Sequence, residues 1–525
     1  MKRFSGVLLP VFSLPSRYGI GCFSRAAYDF VDLLAATGQR YWQVLPLNPT
    51  GFGDSPYQCF SSFAGNPYFI DPVTLIEEGL LDADDPALAA MDTEVGPIDY
   101  GLLYRERLPM LHRAFSRFKV SPAYERFCMK HADWLDSYCL YMTLRTHYGG
   151  DFSVFPEALQ SVTPAEMDTL IMEHIDEVAF HRFVQYQFFK QWFALKEYAN
   201  EQGIEIIGDL PIYISMDSAE AWMYHEEYFE FRDHKPTVVA GCPPDAFAPE
   251  GQLWGNPVYD WEAMSKNDYH WWYRRFAFAL QMFDVLRIDH FRGFDTYYCV
   301  EASAETAVRG VWKRGPGLRF FEIMEQRLRR DGLQPRIIAE DLGILTPGVR
   351  ELLKDTGYPG MRVLQFAFYD RTGEYLPHNH RKQAVVYTGT HDNQTVHGWL
   401  SALTSEQMHF LREYMNVFHR APDHWDIIRM AMASTCHLAI IPFHDYLGLD
   451  DSARINTPGT LGENWTWRYR REMVTDDIVD GMRYYTALYQ RSTAEENETA
   501  DRKLSTSSCT SASDVPTDSS EEDGI

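Results

Sequence analysis

The sequence predicts an α/β protein built as a (β/α)8 TIM barrel, and three observations carry that reading. Short apolar runs of strand length recur along the chain, amphipathic segments of helical period lie between them, and carboxylates stand where several of those runs end. The candidate strands are GVLLPVF, YWQVLPL, IEIIGDLPIYI, FDVLRID, RIIAEDL, MRVLQFAF, AVVYTGTHD and HLAIIPFHD, eight in all. An open doubly wound sheet would call for a glycine-rich phosphate fingerprint after its first strand, and no G-x-G-x-x-G or Walker A sequence stands here.

The helices follow from spacing. In SRAAYDFVDLLAATG, between the first two strands, Ala27, Phe30, Val31 and Leu34 fall at i, i+3, i+4 and i+7, and Gly38 ends the helix. Between the fourth and fifth strands Phe320, Ile323 and Met324 give a similar face. Two connections are too long for plain crossovers. Residues 72–200, after strand two, contain DSYCLYMTLRTHYGG and HRFVQYQFFKQWFALKEYANEQG and are expected to form a helical insertion. Residues 216–262, after strand three, are rich in Gly, Pro and aromatics and are expected to form a long loop insertion, the kind of segment that usually carries function. The catalytic barrel on this reading is residues 1–490. From Arg491 to Ile525 the composition turns to Ser, Thr and acids, with nine acidic residues against three basic ones and no aromatic. Such a stretch has little apolar surface to offset the entropy of ordering and is expected to be a disordered tail.

Composition removes several classes of function. With 48 basic and 74 acidic residues the net charge is −26, which repels a phosphate backbone, so nucleic acid is not an expected partner. No segment approaches the roughly 18 continuous apolar residues of a membrane span. The opening MKRFSGVLLPVF has a short apolar stretch broken by Pro10 and no small-residue cleavage site after it. The eight cysteines form no C-x-x-C pair and no Cys/His cluster at zinc-finger spacing, which is thiol usage of a reducing compartment. A soluble, cytoplasmic protein is expected; its oligomeric state is left open.

In a barrel the C-terminal ends of the strands face the active-site mouth. Those ends carry Asp209 in GDLP, Arg287 and Asp289 in RIDHFRG, Glu340 and Asp341 in AEDLG, and His391 and Asp392 in GTHDNQ. Charge at the end of a buried run is costly unless paired. A helix N-cap accounts for any one Asp that follows a strand, but not for Arg287 two residues before Asp289, which on a strand puts both on one face. An Arg beside an Asp holds it ionised. An ionised Asp facing a carboxyl that stays protonated is the equipment for retaining glycoside chemistry, in which the two groups sit about 5–5.5 Å apart. Neighbouring strands are ~4.8 Å apart. Asp289 and Glu340 are 51 residues apart, room for one βα unit, so adjacent strand tips satisfy the requirement.

RIDHFRG, AEDLG, YTGTHDNQT and GDLPIY together resemble the four barrel motifs of the 4-α-glucanotransferases (amylomaltase or disproportionating enzyme family) of the α-amylase clan. GDSPYQ, PPDAF, GQLWGNPVYDW, ARINTPGT and NWTWR extend the resemblance over about residues 5 to 470. Carried over, it implies Asp289 as nucleophile, Glu340 as general acid/base and Asp392 as the third acid. Arg287 would steady the nucleophile, His391 and Asp209 would bind the sugar at the cleavage site, and Tyr57, Phe247, Trp254 and Asn256 would contact glucan from the loops. His290, Arg292 and Asp341 are read as structural. The chain departs from the pattern at Ala246, which removes one ring of an aromatic pair, and at Glu463, an acid expected in a surface turn.

The resemblance implies a transferase that moves a segment of an α-1,4-glucan to the 4-hydroxyl of an acceptor glucan or glucose. The route would be double displacement through a covalent glucosyl-Asp289, with α-1,4-glucans and maltooligosaccharides as partners and neither metal nor organic cofactor. The motifs specify acceptor choice less tightly than retaining chemistry, so an α-amylase-like hydrolase stays open. A non-catalytic glucan-binding barrel is the rival from another class, and it has no use for three carboxylates at strand tips. Products from maltotriose separate the three: redistribution of chain length, net reducing ends, or no change.

Overall fold

The computed structural model describes residues 2–93, 96–244, 249–343 and 345–492. Each of the eight apolar runs contributes one strand: β1 (Phe4–Leu8), β2 (Tyr41–Gln43), β3 (Glu205–Leu210), β4 (Val285–Ile288), β5 (Ile337–Ala339), β6 (Gly360–Val363), β7 (Ala384–Tyr387) and β8 (Leu438–Pro442). They form one parallel sheet in the order β5-β4-β3-β2-β1-β8-β7-β6. The first strand lies against the last, with Phe4 opposite Leu438 and Leu8 opposite Pro442. Between β5 and β6 the Ala339 N–H donates to the carbonyl of Pro359 at 2.9 Å, so the ring closes. This is the (β/α)8 barrel. Every residue of β2 and of β4 to β8 is buried, as a parallel sheet packed under helices on one face and filled on the other requires.

The helix Arg25–Ala36 buries Ala27, Phe30, Val31 and Leu34 against the barrel, and Gly38 follows it with φ of 72°. The helix Gly317–Arg330 buries Phe320 and Met324. Between β2 and β3 the described residues form six α-helices, two of which, Pro122–Tyr148 and Ile175–Glu201, run 27 residues each and pack together. Ser121 opens the first of these by accepting the Tyr124 N–H on its hydroxyl, with Pro122 in the first turn, and Gly149 in the left-handed region ends it.

Residues 216–262 differ from the expected loop. They hold a helix, Ala219–Tyr228, a short hairpin of Phe231–Arg232 with Lys235–Pro236, and two longer strands, Val238–Cys242 and Gln252–Pro257. The two longer strands enter an antiparallel sheet with Thr296–Glu301 and Gly310–Arg314, which belong to the connection between β4 and β5. Val238–Cys242 pairs on one side with Gln252–Pro257 and on the other with Thr296–Glu301, and that second, non-local pairing is announced by no spacing within 216–262.

The tail boundary also shifts. Arg491, expected as the first disordered residue, is buried. Its guanidinium donates to the carbonyls of Met432 (2.7 Å), Phe4 (2.9 Å), Ser434 (2.8 Å) and Cys436 (3.1 Å), closing the bottom of the barrel where β1 and β8 begin. Ser492 is buried beside it, and residues 493–525 lie outside the described residues. Among the described residues no helix is long and apolar enough to cross a membrane, and the seven cysteines are free thiols.

Candidate active site

Two charged residues at the C-terminal mouth organise the site. Arg287 on β4 stands opposite Asp209 on β3 in the strand register, and its Nη1 donates to both oxygens of Asp209 at 2.7 Å. Both side chains are almost wholly removed from solvent, and an ion pair so placed stabilises the fold only with its geometry complete. The same nitrogen lies 3.0 Å from Asp289 Oδ1, so the Arg joins the tips of two strands. Burial works against the charge on Arg287, but Asp209 and Asp289 outweigh it and hold the guanidinium firmly protonated. Burial likewise pushes the Asp209 carboxyl up, against the pull of Arg287.

Asp289 and Glu340 follow directly after paired residues of adjacent strands, Ile288 and Ala339. The Glu340 N–H donates to the Ile288 carbonyl at 3.0 Å, extending the ladder up to the two acids. Their environments differ. Asp289 faces a guanidinium and keeps about 29% of its side-chain surface in solvent. Glu340 accepts the backbone N–H of His290 at 2.7 Å and that of Leu342 at 2.7 Å. Burial and then the negative charge of Asp289 raise its pKa to about 7, although Arg287 and the two N–H groups pull the other way. The two carboxyls thus sit in unlike environments, one beside a guanidinium and one buried with a raised pKa.

His290 reaches Glu340 because its backbone takes φ of +50°, a conformation a non-glycine residue adopts only where its surroundings impose it. Read from the sequence as a packing residue, it does pack, ring edge against Trp254 at 4.9 Å between centroids, while its N–H fixes the neighbouring acid. Asp341 accepts the Met361 N–H at 2.6 Å and pairs with Arg362 at 3.1 Å, the supporting part expected of it. Arg292 sets its guanidinium over the Trp312 ring.

A second cluster comes from β7 and the loop after β2. The Tyr57 hydroxyl donates to Asp209 Oδ2 at 2.7 Å and lies 3.0 Å from His391 Nε2. Having given its one proton to Asp209, the phenol accepts from His391, so Nε2 carries the imidazole proton. That N–H also faces Asp392 Oδ2 at 3.3 Å, and the Tyr57 and His391 rings stack at 5.3 Å. Asp392 remains the most open of the three acids, with about 43% of its side-chain surface exposed.

The structure therefore gathers Tyr57, Asp209, Arg287, Asp289, His391 and Asp392 into one bonded network and sets Glu340 beside Asp289. Trp254, half-buried, stands on the small sheet next to Tyr213 and His290. Asn256 acts on the chain itself, donating to the Ile214 carbonyl at 2.7 Å and tying the small sheet to the end of β3. Phe247 and Ala246 lie outside the described residues. Glu463 is exposed in a bend.

Two residues escaped the strand-tip reading. Asn456 donates Nδ2–H to Asp392 Oδ1 at 2.6 Å, and Arg454 donates to the Asp392 backbone carbonyl at 2.7 Å and to the Asn456 carbonyl at 2.8 Å. Both lie in ARINTPGT, beyond the last strand, and only the match of that stretch to the family motif pointed to it.

A closed parallel barrel with carboxylates on neighbouring strand tips, one beside a guanidinium and one buried with its pKa raised, defines a carbohydrate-acting enzyme of the (β/α)8 class. The family model described as 4-alpha-glucanotransferase, glycoside hydrolase family 77, matches residues 9–474. Over 500 residues the chain is 42% identical to the 4-alpha-glucanotransferase of Streptococcus pneumoniae serotype 4, covering 93% of this chain and 98% of that protein. It is 43% identical to the Thermus thermophilus 4-alpha-glucanotransferase over 483 residues, covering 89% and 95%. Among solved structures, amylomaltase from Streptococcus agalactiae in complex with acarbose superposes with a TM-score of 0.89 at 37% identity, covering 94% of this chain and 100% of that one. The chain belongs to glycoside hydrolase family 77, the 4-alpha-glucanotransferases, enzymes that act on α-1,4-glucans.

Proposed function

We propose that this enzyme transfers a segment of an α-1,4-glucan to the 4-hydroxyl of an acceptor glucan or glucose, with retention, through a covalent glucosyl-Asp289. The observation that carries the mechanism is the unlike pair at the tips of β4 and β5: Asp289 beside a guanidinium, Glu340 with its pKa raised to about 7. An Asp289 oxygen attacks the anomeric carbon while Glu340 gives its proton to the departing glycosidic oxygen, and that C–O bond breaks. Glu340, now a carboxylate, takes the proton of the incoming 4-hydroxyl as its oxygen displaces Asp289. Two inversions return the α configuration.

Arg287 serves as the charge partner of Asp289, and Asp392, oriented by Asn456, faces the positive character that builds on the sugar ring. Asp209 and His391 are proposed as sugar-binding groups, and Tyr57 joins them so that they move as one body. Trp254 offers a ring to an apolar sugar face; Phe247 is proposed for the same surface from its place in PPDAF. Asn256 contributes by tying the strand that presents Trp254 to the segment after β3. The related amylomaltase from Streptococcus agalactiae is seen in complex with acarbose, which supports α-1,4-glucans and maltooligosaccharides as partners here. The proposed catalytic body runs from residue 1 through Ser492, with residues 72–200 as a helical insertion. Free thiols support a cytoplasmic setting.

The test is a chain-length profile from maltotriose. Glucose together with longer maltooligosaccharides, without net reducing ends, supports transfer. Net reducing ends would make the enzyme a hydrolase, and an unchanged substrate would leave only a glucan binder.

A further inference from the structure

Away from the barrel mouth, the helix Ala219–Tyr228 and the hairpin that follows it bring three ligating side chains to one point. His225 is only 2% exposed. Its Nδ1 lies 2.9 Å from the Trp222 carbonyl and 3.2 Å from that of Ala221, so Nδ1 carries the proton and Nε2 is a bare acceptor. Phe152 stacks on the ring at 5.2 Å and Phe231 packs at 5.3 Å, fixing its orientation. Across the hairpin, His234 sets Nδ1 2.8 Å from that Nε2. It can do so because Asp233 and His234 both adopt left-handed φ, 51° and 59°, making a tight two-residue turn between Phe231–Arg232 and Lys235–Pro236. Glu226 brings Oε1 to 3.4 Å from the same His234 nitrogen, and one donor atom from each residue lies within 4.8 Å of the other two.

One proton does not satisfy this group. A proton on His234 Nδ1 is given to His225 Nε2, which leaves the Glu226 carboxylate facing a nitrogen already committed. A divalent cation takes a lone pair from all three, with the His234 proton moved to its solvent-side Nε2. Two imidazoles and a carboxylate, with one imidazole anchored by a backbone carbonyl through its other nitrogen, form the donor set and outer-sphere support of a zinc site. Four-coordinate bonds of about 2.0–2.2 Å separate donor atoms by ~3.4 Å, so the histidines open by roughly 0.6 Å, while Glu226 already stands at that distance from His234 Nδ1 and swings toward His225.

We propose that His225, Glu226 and His234 bind one divalent cation of the zinc class, as a clamp that plays no part in the chemistry at the barrel mouth. The clamp would tie the helix to the hairpin that leads into Val238–Cys242, the strand paired with the Trp254 strand. The family resemblance implies no metal, and His225, Glu226 and His234, two neighbours and a residue across a hairpin, fall outside zinc-finger spacing.

The experiment is titration of the full chain, stripped with a chelator, with ZnCl2 at neutral pH by calorimetry, alongside Co2+ absorption. One Zn2+ per chain and the visible bands of four-coordinate Co2+ are expected. His234→Ala is expected to weaken Zn2+ by more than roughly a hundredfold, beyond the loss of an outer-sphere partner. Glu226→Gln, at an exposed position, is expected to weaken it at least tenfold and remains informative should the hairpin variant misfold. Zn2+ should raise the melting temperature of the parent and not of His234→Ala, and metal-free His234→Ala should keep parental transfer from maltotriose. Absence of stoichiometric binding, or binding left unchanged by both substitutions, overturns the site.

Discussion

Asn456 donates its side-chain amide to Asp392 Oδ1 at 2.6 Å from a loop 64 residues further along the chain. On the opposite side His391 approaches the other oxygen at 3.3 Å, so the most exposed of the three acids is held from two directions. A hydrogen bond to a charged group is worth about 1.5–3 kcal/mol, and here it fixes orientation more than charge. Asn456→Ala is expected to lower kcat by about ten- to hundredfold with KM and melting temperature little changed. An unchanged kcat would mean that His391 alone orients Asp392.

Asp289→Asn removes the only oxygen proposed to form the sugar ester while nearly preserving shape. Turnover is expected to fall by several orders of magnitude, and calorimetry with a maltooligosaccharide is expected to show binding retained. Near-parental turnover would exclude Asp289 as nucleophile.

Glu340 gives a pH prediction with a definite sign. Its carboxyl is raised by burial and by Asp289 to about 7, so the acid form needed for the first step is present below that pH and lost above it. The alkaline limb of kcat/KM should therefore fall through about pH 7. For stability the folded chain binds more protons at this site than the unfolded chain between the ordinary Glu value, ~4.3, and about 7, so this site makes stability decline as pH rises across that window. Glu340→Gln should remove that slope along with the alkaline limb. It should spare donors with an acidic leaving group in the first step, and equal damage to activated and ordinary donors would argue against Glu340 as the acid.

The barrel and its acids were legible because each lies in a local contrast: an apolar run ending in Asp209, in Arg287 and Asp289, in Glu340, or in His391 and Asp392. What joins them was not. Tyr57 meets Asp209 across 152 residues and His391 across 334, and such a bond leaves no periodicity behind. The same holds for Asn456, for the backbone N–H of His290 and for the small sheet, where Val238–Cys242 pairs with Thr296–Glu301 from beyond β4. Arg491 illustrates the converse. Its neighbours in the chain are all polar, and its burial follows from four carbonyls supplied by other segments.

Arg491→Ala is accordingly expected to destabilise the fold. Burial, and then the positive charge of Arg3, lower its pKa to about 9, yet its bonds to main-chain carbonyls close the barrel floor, and their removal strips the Met432, Phe4 and Cys436 carbonyls of this donor. A loss of several degrees in melting temperature is expected, with kcat unchanged. A chain ending after Ser492 keeps this contact and is expected to melt and act like the parent. An equal drop for both would show that the segment beyond Ser492 also packs on the body.

Trp254 and Tyr57 separate acceptor binding from bond cleavage. Trp254 packs edge-to-face with His290, whose N–H holds Glu340, so its ring stands where an incoming sugar would meet the base. Stacking there raises the effective concentration of sugar against water. Losing it costs about 1–2 kcal/mol, roughly five- to thirtyfold in partitioning. Water needs no platform and loses nothing. Trp254→Ala is therefore expected to raise the ratio of hydrolysis to transfer from maltotriose, with the first step less affected. Tyr57→Phe keeps its ring and loses the hydroxyl that joins Asp209 to His391, so it is expected to slow the first step while leaving the product ratio near the parental value. An unchanged product ratio in Trp254→Ala would make that ring a packing residue, and the preference for a sugar over water would then have to come from the loop that carries Phe247.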